Sequence, residues 1–389
     1  MSNRYIWQRA DWPVWRWSDS TLAESLESAR RKGDYLAGLA RGLDGHHINL
    51  AITEFTTQET VSTSAIEGVK LNADTVRSSV TRRLGLGMSD EAASRAEDAV
   101  KGVVEMLADS THNIQVLTRD RLFAWHSSLF PTGRSGLSRI QVGALRGESP
   151  MQILSGPIGR ETVHYEAPPR DRLDTEVDQF LAWFNHPPSI DNTLRACLAH
   201  LWFETLHPFE DGNGRLGRAV FDLALAQGAK FHSENVSRLW AVSPVILKRR
   251  KEYYSQLESA QEGNLDVTEW LTWAIACVDQ AYDEARACIE RVRLVANFWV
   301  RHREVSVNAR QRKILENALS ASDPEDAWLT SRRVARWTKV ERVTASRDLA
   351  NLEKLGLIRR DEASGGRSTR YEVSLDEPAP ARLIGQPKY

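Results

Sequence analysis

The twelve residues HPFEDGNGRLGR, at positions 207–218, contain the signals for a turn between two helices. Pro208 disfavours helical backbone at the residue before it, so we expect a bend at His207. The Gly-Asn-Gly stretch at 212–214 tolerates positive φ, which lets successive backbone N–H groups point into one concavity. Helical spacing resumes at Leu216, so these N–H groups lie at a helix N-terminus, where an anion is favoured. The stretch therefore predicts a phosphate-binding turn.

The polar side chains of the same stretch add chemistry to that turn. The imidazole of His207, with an ordinary pKa of about 7, suits a general base. Asp211 offers the hard oxygen ligand that Mg²⁺ prefers. Arg215 and Arg218 are three residues apart, which places them on one helix face near the anion. A plain turn needs neither the histidine nor both arginines, so the set as a whole favours function.

Composition limits the class of protein. The chain has 389 residues with 41% hydrophobic and 26% charged residues, enough for two or three globular domains. A net charge of −1 gives no overall attraction to nucleic acid. The three cysteines lack metal-type spacing and indicate a reducing compartment. No signal peptide and no apolar run of about 18 residues is visible, so we expect a mostly α-helical, cytoplasmic protein without a membrane span.

Residues 207–218 resemble the signature of the Fic family of protein adenylyltransferases, H-P-F-x-[DE]-G-N-[GK]-R-x-x-R, at all nine specified positions. The resemblance implies a Fic-type helical bundle that uses ATP as substrate and Mg²⁺ as cofactor. It implies that His207 deprotonates a hydroxyl of a target protein and that Asp211 holds Mg²⁺ on the α- and β-phosphates. It further implies an inward-packed Phe209. The implied phosphate contacts are Gly212, Asn213, Gly214 and Arg215, with Arg218 on the γ-phosphate.

A second stretch, residues 50–68, is predicted to be a helix that ends at the C-cap glycine Gly68. Glu67 in its last turn opposes the helix dipole and therefore gains nothing locally. Thr63, Glu67 and Gly68 resemble the inhibitory motif of the family, [ST]-x-x-x-E-[GN]. The resemblance implies that Glu67 pairs with Arg218 in place of the γ-phosphate. An ordinary helix end is the alternative interpretation.

Helical spacing disappears between residues 133 and 169, where residues 151–165 favour two short strands around Gly156–Gly159. This hairpin is either a surface arm or the flap that lies over the active site in the family. An exposed strand edge can hold an extended target segment by main-chain hydrogen bonds. Ser155 and Gly156, at the end of the first strand, are predicted nucleotide contacts.

Further helices are predicted on both sides of the hairpin. A helix from Thr118 to Leu129 carries His126 on an apolar stripe, which is typical of a core histidine. Tyr253, Tyr254 and Gln261 match family positions near the adenine and the ribose, although paired tyrosines also suit a core. Further predicted helices span residues 72–84 and 90–107.

The N-terminal region, residues 1–45, is rich in tryptophan. Its aromatic residues between positions 5 and 17 favour a packed cluster, with a ligand-binding cage as the alternative. Ser20 is expected to cap a helix that ends near Gly33, with a second helical stretch through Leu43. The Fic core is predicted to span residues 46–300.

Residues 305–375 favour three helices and a hairpin, an order that resembles a winged helix-turn-helix. Residues 301–372 contain 16 Lys and Arg against 11 Asp and Glu. Docking of a protein is the alternative to DNA binding, and residues 376–389 are expected to be a disordered tail. The candidate DNA contacts are Arg342, Arg347, Arg359, Arg360, Arg367 and Arg370.

The sequence therefore predicts a protein adenylyltransferase that moves AMP from ATP to a Ser, Thr or Tyr hydroxyl and is inhibited by its own Glu67. Two alternatives stay open: a DNA-binding regulator whose Fic core senses a nucleotide, and an enzyme that removes AMP from a modified protein. The target protein is expected to dock on the flap, and the sequence does not identify it. A homo-oligomer is possible.

Overall fold

A computed structural model describes residues 4–85, 95–156, 160, 162–229, 238–320, 324–365 and 369–375. The chain divides into two compact units, Met1–Ile289 and Glu290–Tyr389. Both are mostly helical, as the sequence predicts. The predicted start of a helix at Asp90, the hairpin turn at 157–159, Arg367 and the C-terminal tail lie outside the described residues.

The first unit begins with a short 3₁₀ helix and helix α1. The predicted helix end near Gly33 is wrong, because α1 runs without interruption over Asp19–Arg41. Its cap is Ser18, whose side chain accepts a hydrogen bond from the Thr21 N–H. A Cβ at Gly33 would lie 3.4 Å from the ring of Tyr282. The glycine at this position therefore reflects close packing of α1 against an aromatic ring, and it does not end the helix.

The other helices of this unit follow the predicted pattern closely. Side chains of Asp44, Asn72, Thr118 and Asp191 accept hydrogen bonds from the first turns of the helices that directly follow them in the sequence. The helices are α2 (Gly45–Ile66), α3 (Ala73–Arg83), α4 (Arg95–His112), α5 (Arg119–Leu129), α6 (Arg170–Asn185), α7 (Asn192–Leu206), α8 (Asn213–Gly228), α9 (Ser243–Lys248), α10 (Arg250–Gln261) and α11 (Thr268–Arg301), of which α11 crosses the division between the units.

Two antiparallel hairpins interrupt the helices. The predicted hairpin is confirmed as β3 (Gln152–Ser155) and β4 (Thr162–Glu166). Its register places Ser155 opposite Thr162. A smaller hairpin, β1 (Arg134–Ser135) with β2 (Ser138–Arg139), has strands of two residues each and was not predicted.

Helix α7 lies at the centre of the main core. Its residues from Leu194 to Leu206 are all buried, so it is a core helix with no solvent-exposed face there. Trp12 and Trp15 each pack edge-on against Trp202 at 5.9 Å between ring centroids. The N-terminal tryptophans therefore form the packed cluster predicted from the sequence, which joins the N-terminal segment to the core.

The second unit has its own core, which includes Leu315, Leu329, Val334 and Leu349. The order of three main helices followed by a hairpin agrees with the prediction, and the winged helix-turn-helix itself stays a prediction. The elements are α12 (Ala309–Ser320), α13 (Pro324–Ala327), α14 (Ser331–Thr338), α15 (Arg342–Lys354), β5 (Ile358–Arg360) and β6 (Tyr371–Val373). Within the described ranges, no helix is both long and apolar enough to cross a membrane.

Candidate active site

The backbone of His207 is fixed at the end of α7. The residue adopts a left-handed conformation with φ 45° and ψ 59°, which is uncommon for a residue other than glycine. Arg146, only 2% exposed, donates from Nε to the carbonyl of His207 at 2.9 Å. The Arg146 N–H also donates to the carbonyl of Pro208 at 2.9 Å. The predicted bend is confirmed, and a buried arginine holds it.

The loop after His207 is closed by its own side chains. Phe209 is fully buried, as predicted. The side chain of Asn213 accepts from the Phe209 N–H at 2.9 Å and donates to the Phe209 carbonyl at 2.8 Å. The amide of Asn213 therefore shapes the loop and is not free to contact phosphate, so only its backbone can serve the predicted anion site.

His126 supports the same loop from α5. Its ring stacks on Phe209 with 4.3 Å between centroids. Nε2 donates to the carbonyl of Asp211 at 3.2 Å, and Nδ1 accepts from the Gly143 N–H at 3.0 Å. Burial lowers the pKa of His126 to about 4, so the neutral ring supplies the one donor and one acceptor that these contacts need. The prediction of a satisfied core histidine is confirmed.

A cavity of about 660 Å³ opens between this loop, the β3–β4 hairpin and α10. Its size is in the range of small-molecule sites. Of the predicted site residues, Thr63, Gly68, Gly156, Arg215 and Arg218 are not among those that line it. The predicted residues that do line it are Glu67, Ser155, His207, Asp211, Gly212, Asn213, Gly214, Tyr253, Tyr254 and Gln261.

The pKa of His207 differs in this environment from the ordinary value of an imidazole. Burial lowers the pKa of His207 to about 4, and the positive charge of Arg146 acts in the same direction. The imidazole is therefore neutral throughout the neutral pH range. It can accept a proton without first losing one, although it is a weaker base than an exposed histidine.

Arg218 is buried between α8 and α2. Its side chain is 1% exposed. Nε donates to Thr63 Oγ1 at 2.7 Å, and Nη2 donates to the Thr63 carbonyl at 2.9 Å and to Glu67 Oε1 at 2.8 Å. Burial lowers the pKa of Arg218, but the Glu67 carboxylate outweighs that effect and leaves it above its ordinary value. The ion pair implied by the resemblance is therefore present in the structure.

The carboxylate of Glu67 occupies space beside the N-terminus of α8. A Cβ built at Gly214, in the first turn of that helix, would lie 2.2 Å from Glu67 Oε1. Gly212 before it has φ +81°, a conformation that favours glycine. The carboxylate thus takes the place beside backbone N–H groups that suits an anion.

The two arginines of the loop contact different elements. The guanidinium of Arg215 lies over the ring of Phe130 at 5.1 Å, at the end of α5, whereas Arg218 contacts α2. The charges of Asp211, Glu67 and Arg218 all act on the Arg215 guanidinium, so the prediction that both arginines serve one anion site stays a prediction. The pair of Arg218 with a carboxylate of α2 is a tertiary contact that helical spacing alone cannot reveal.

Asp211 is the predicted magnesium ligand. Its Oδ2 accepts a hydrogen bond from the Ser135 hydroxyl of the β1–β2 hairpin. Across the described residues, no three His, Cys, Asp or Glu side chains cluster as a metal site. A single carboxylate facing a cavity nevertheless fits Mg²⁺, which commonly binds through one or two carboxylates together with substrate phosphates.

Glu204 is a site residue that the sequence analysis did not select. It lines the cavity one turn before His207 and is 6% exposed. Its Oε1 has no hydrogen-bond partner among the described residues. Burial raises the pKa of Glu204 to about 8, so the group is mostly a neutral acid near pH 7. The sequence does carry a signal, because Glu204 is the only charge between Leu201 and Leu206.

The two tyrosines predicted as site residues line the cavity, and their hydroxyls form hydrogen bonds with other residues of the chain. The Tyr253 hydroxyl lies 2.9 Å from His200 Nε2. The Tyr254 hydroxyl donates to the carbonyl of Ile66 at 3.1 Å, next to Glu67. Tyr253 is 1% exposed and is therefore a core residue. Contact with a nucleotide stays a prediction for both tyrosines.

Fold and site together define a helical protein in which the predicted phosphate-binding loop contacts α2 of the same chain through the pair of Arg218 with Glu67. Residues 116–225 match the model of the Fic/DOC family. Residues 5–86, which include the tryptophan cluster and all of α2, match a domain of unknown function, DUF4172. The segment that carries the site is therefore similar to the Fic/DOC family.

Individual relatives share only part of the chain. A "Probable protein adenylyltransferase" of Aquifex aeolicus is 28% identical over 108 residues, 28% of this chain and 30% of the relative. A uridine 5′-monophosphate transferase of Xanthomonas campestris is 30% identical over 139 residues, 34% of this chain and 25% of the relative. The chain thus spans under a third of these two relatives. A Fic family protein structure from Desulfovibrio desulfuricans has a TM-score of 0.50 at 20% identity, covering 90% of this chain and 96% of that one, which supports the fold.

Proposed function

We propose that this protein is an adenylyltransferase that transfers AMP from ATP to a Ser, Thr or Tyr hydroxyl of a target protein. The observation that carries the proposal is the juxtaposition of a neutral His207 with a helix N-terminus and Asp211 around one cavity. The name of the Aquifex aeolicus relative supports the same reaction. The name of the Xanthomonas campestris relative makes UTP the first alternative nucleotide.

In the proposed reaction, Nε2 or Nδ1 of His207 takes the proton of the target hydroxyl. The oxygen attacks the α-phosphorus, and pyrophosphate leaves. The N-terminus of α8 holds the phosphates, and catalysis rests on positioning and charge neutralisation. Mg²⁺, held by Asp211, would neutralise charge on the phosphates.

We further propose that Glu67 inhibits the enzyme. The guanidinium of Arg218 can pair with the Glu67 carboxylate or with a γ-phosphate, and a carboxylate left beside a triphosphate repels it. The 2.8 Å contact between Arg218 and Glu67 supports this competition. Wild-type protein would then hold ATP weakly or with its α-phosphorus out of line.

The flap is the proposed docking site for the target. Ile153 and Leu154 of β3 are 38% and 50% exposed, which is unusual for two adjacent large apolar residues in so short a strand. Main-chain pairing along the hairpin edge would place a target hydroxyl near His207 with little dependence on target sequence.

The test is labelling of a cell lysate with ATP that carries radioactivity on the α-phosphate, in the presence of Mg²⁺. Glu67→Gly should label lysate proteins strongly and wild type weakly. Adding Arg218→Ala to Glu67→Gly should abolish the gain, because the released arginine is the means of activation. Equal labelling by wild type and Glu67→Gly at saturating ATP would contradict the inhibition. If only radioactive UTP gives labelling, the transferred group is UMP and not AMP. If wild type, but not Glu67→Gly, removes label from a modified target, the enzyme runs the reverse reaction.

A further inference from the structure

Three side chains outside the proposed mechanism form a continuous hydrogen-bonded chain. Ser155 Oγ lies 2.6 Å from His164 Nε2, and His164 Nδ1 lies 2.9 Å from Glu258 Oε1. An ionised carboxylate can only accept, so Nδ1 must carry the ring proton. In the tautomer whose one ring proton is on Nδ1, Nε2 is an acceptor, and the Ser155 hydroxyl can donate to it. The carboxylate thereby fixes the tautomer that can take a proton from the serine.

The chain of bonds faces the cavity of the active site. Ser155 ends β3, His164 lies in β4 and Glu258 lies on α10, and all three line the cavity that also contains His207. Ser155 is exposed, and the side chain of His164 is 34% exposed. The serine oxygen is therefore accessible to a molecule in the cavity.

A hydroxyl, an imidazole and a carboxylate in this order are the arrangement that activates a serine as a nucleophile. A nucleophile needs an electrophile within reach. In a nucleotidyltransferase, the cavity that holds His207 also holds the α-phosphorus of the nucleotide. Ser155 thus lines the cavity that would hold this electrophile, and His164 is positioned to act as its base.

We propose that Ser155 is a self-modification site that accepts AMP, with His164 as its general base. The proposal rests on the proposed function for the presence of ATP in the cavity. A bond forms between Ser155 Oγ and the α-phosphorus, and the bond from the α-phosphorus to the bridging oxygen of the β-phosphate breaks. Pyrophosphate leaves with the electron pair of that bond. The serine proton passes to His164 Nε2 and then to water.

The modification would alter the flap itself. AMP on Ser155 adds a phosphodiester charge and a nucleoside next to Leu154, on the strand that we propose as the docking edge. Self-modified protein should therefore modify targets more slowly than unmodified protein does.

The experiment uses full-length Glu67→Gly protein with ATP and Mg²⁺, read by peptide mass spectrometry. We expect one AMP on the peptide that contains Ser155 and its loss in Ser155→Ala. His164→Gly should lower the rate of this labelling by about 10²-fold or more, and added imidazole should restore part of it. The matched control is Thr162→Ala, which removes the hydroxyl opposite Ser155 on the same hairpin; labelling of Ser155 should persist there.

The decisive variant is His207→Ala in the Glu67→Gly background. It should lose labelling of lysate proteins but keep AMP on Ser155, because the two hydroxyls use different bases. Loss of both would overturn the role of His164, as would failure of imidazole to rescue His164→Gly. Lysate labelling without AMP on Ser155 would overturn this inference alone. Absence of both in Glu67→Gly would instead overturn the proposed function.

Discussion

His207 combines a rigid backbone with a neutral side chain, and that combination defines its expected role. In the Glu67→Gly background, His207→Ala should slow AMP transfer to a target about 10²–10⁴-fold, the usual cost of losing a positioned base. ATP affinity should change little, because the phosphates are held by the helix N-terminus. Initial rates and calorimetric titration with ATP measure the two effects. The control is His186→Ala, at the other His-Pro pair of the chain, where the histidine is exposed. A mutant that keeps a tenth of the rate would exclude His207 as the base.

Glu204 makes a prediction about stability. The folded state raises its pKa from an ordinary 4.5 to about 8, so the folded protein keeps a proton that the unfolded chain releases. Stability therefore falls as pH rises through that window. Glutamine at position 204 does not titrate. The free energy of unfolding of Glu204→Gln minus that of wild type should therefore rise by about 2 kcal/mol or more from about pH 5 to about pH 8. Urea unfolding at both pH values measures this. A constant difference between the two proteins would contradict the buried acid.

Helix α2 has a second anchor eight residues before Glu67, about two helical turns away. Glu59, 1% exposed, accepts from the Ser243 N–H at 3.0 Å at the start of α9. It also lies 3.6 Å from Nη1 of Arg238, which is fully buried and paired with Asp222 of α8. The position of Glu67 therefore depends on a buried charge cluster outside the active site.

Glu59→Ala should loosen α2 and weaken the proposed inhibition. Removing one partner of a buried ion pair costs about 3–5 kcal/mol, so the midpoint temperature of unfolding should fall clearly. Amide exchange in α2 should speed up, and AMP transfer should rise toward that of Glu67→Gly. Glu54→Ala on the same helix removes two contacts near the surface, the ion pair with Arg77 and the hydrogen bond from Gln58, and should cost about 1 kcal/mol without activation. If Glu59→Ala unfolds more easily but transfers AMP no faster than wild type, the anchor has no part in inhibition.

The elements were largely predictable because they depend on local signals. Asn72 and Thr118 were expected at helix starts and are the caps found there. The predicted helix end at Gly33 was wrong, because the sequence does not distinguish a glycine that packs against the ring of Tyr282 from a glycine that ends a helix. The support of Asp211 by Ser135 and the contact of Glu258 with His164 join residues 76 and 94 positions apart. The spacing of apolar residues along the sequence does not indicate such long-range contacts.

At the scale of the whole molecule, charge is unevenly distributed along the chain. The net charge is −1, yet residues 301–372 are basic. The structure reduces the number of candidate DNA contacts there, since Arg359 pairs with Glu372 and Arg370 with Asp361, each at 2.6 Å. Arg342 and Arg347 on α15 are exposed and stay candidates.

If the second unit binds DNA, Arg347→Ala should weaken binding and lower the slope of log affinity against log salt by about 1, the loss of one phosphate contact. Gel shifts at several salt concentrations measure this. Arg359→Ala, whose charge is already neutralised by Glu372, should change the slope less. No shift by wild type at physiological salt would leave docking of a protein as the function of this unit.

The residue at position 214 and the position of the Glu67 carboxylate are coupled. A Cβ at position 214 would overlap Oε1 of Glu67, so the carboxylate keeps its present place only beside glycine. The signature also admits lysine at this position, and a lineage that acquired any side chain at 214 would displace Glu67 from Arg218. Such a lineage would lose the proposed inhibition without any change in α2. Among related chains, a glutamate at the place of Glu67 should therefore co-occur with glycine at the place of Gly214, and chains with a larger residue there should restrain the site by another means.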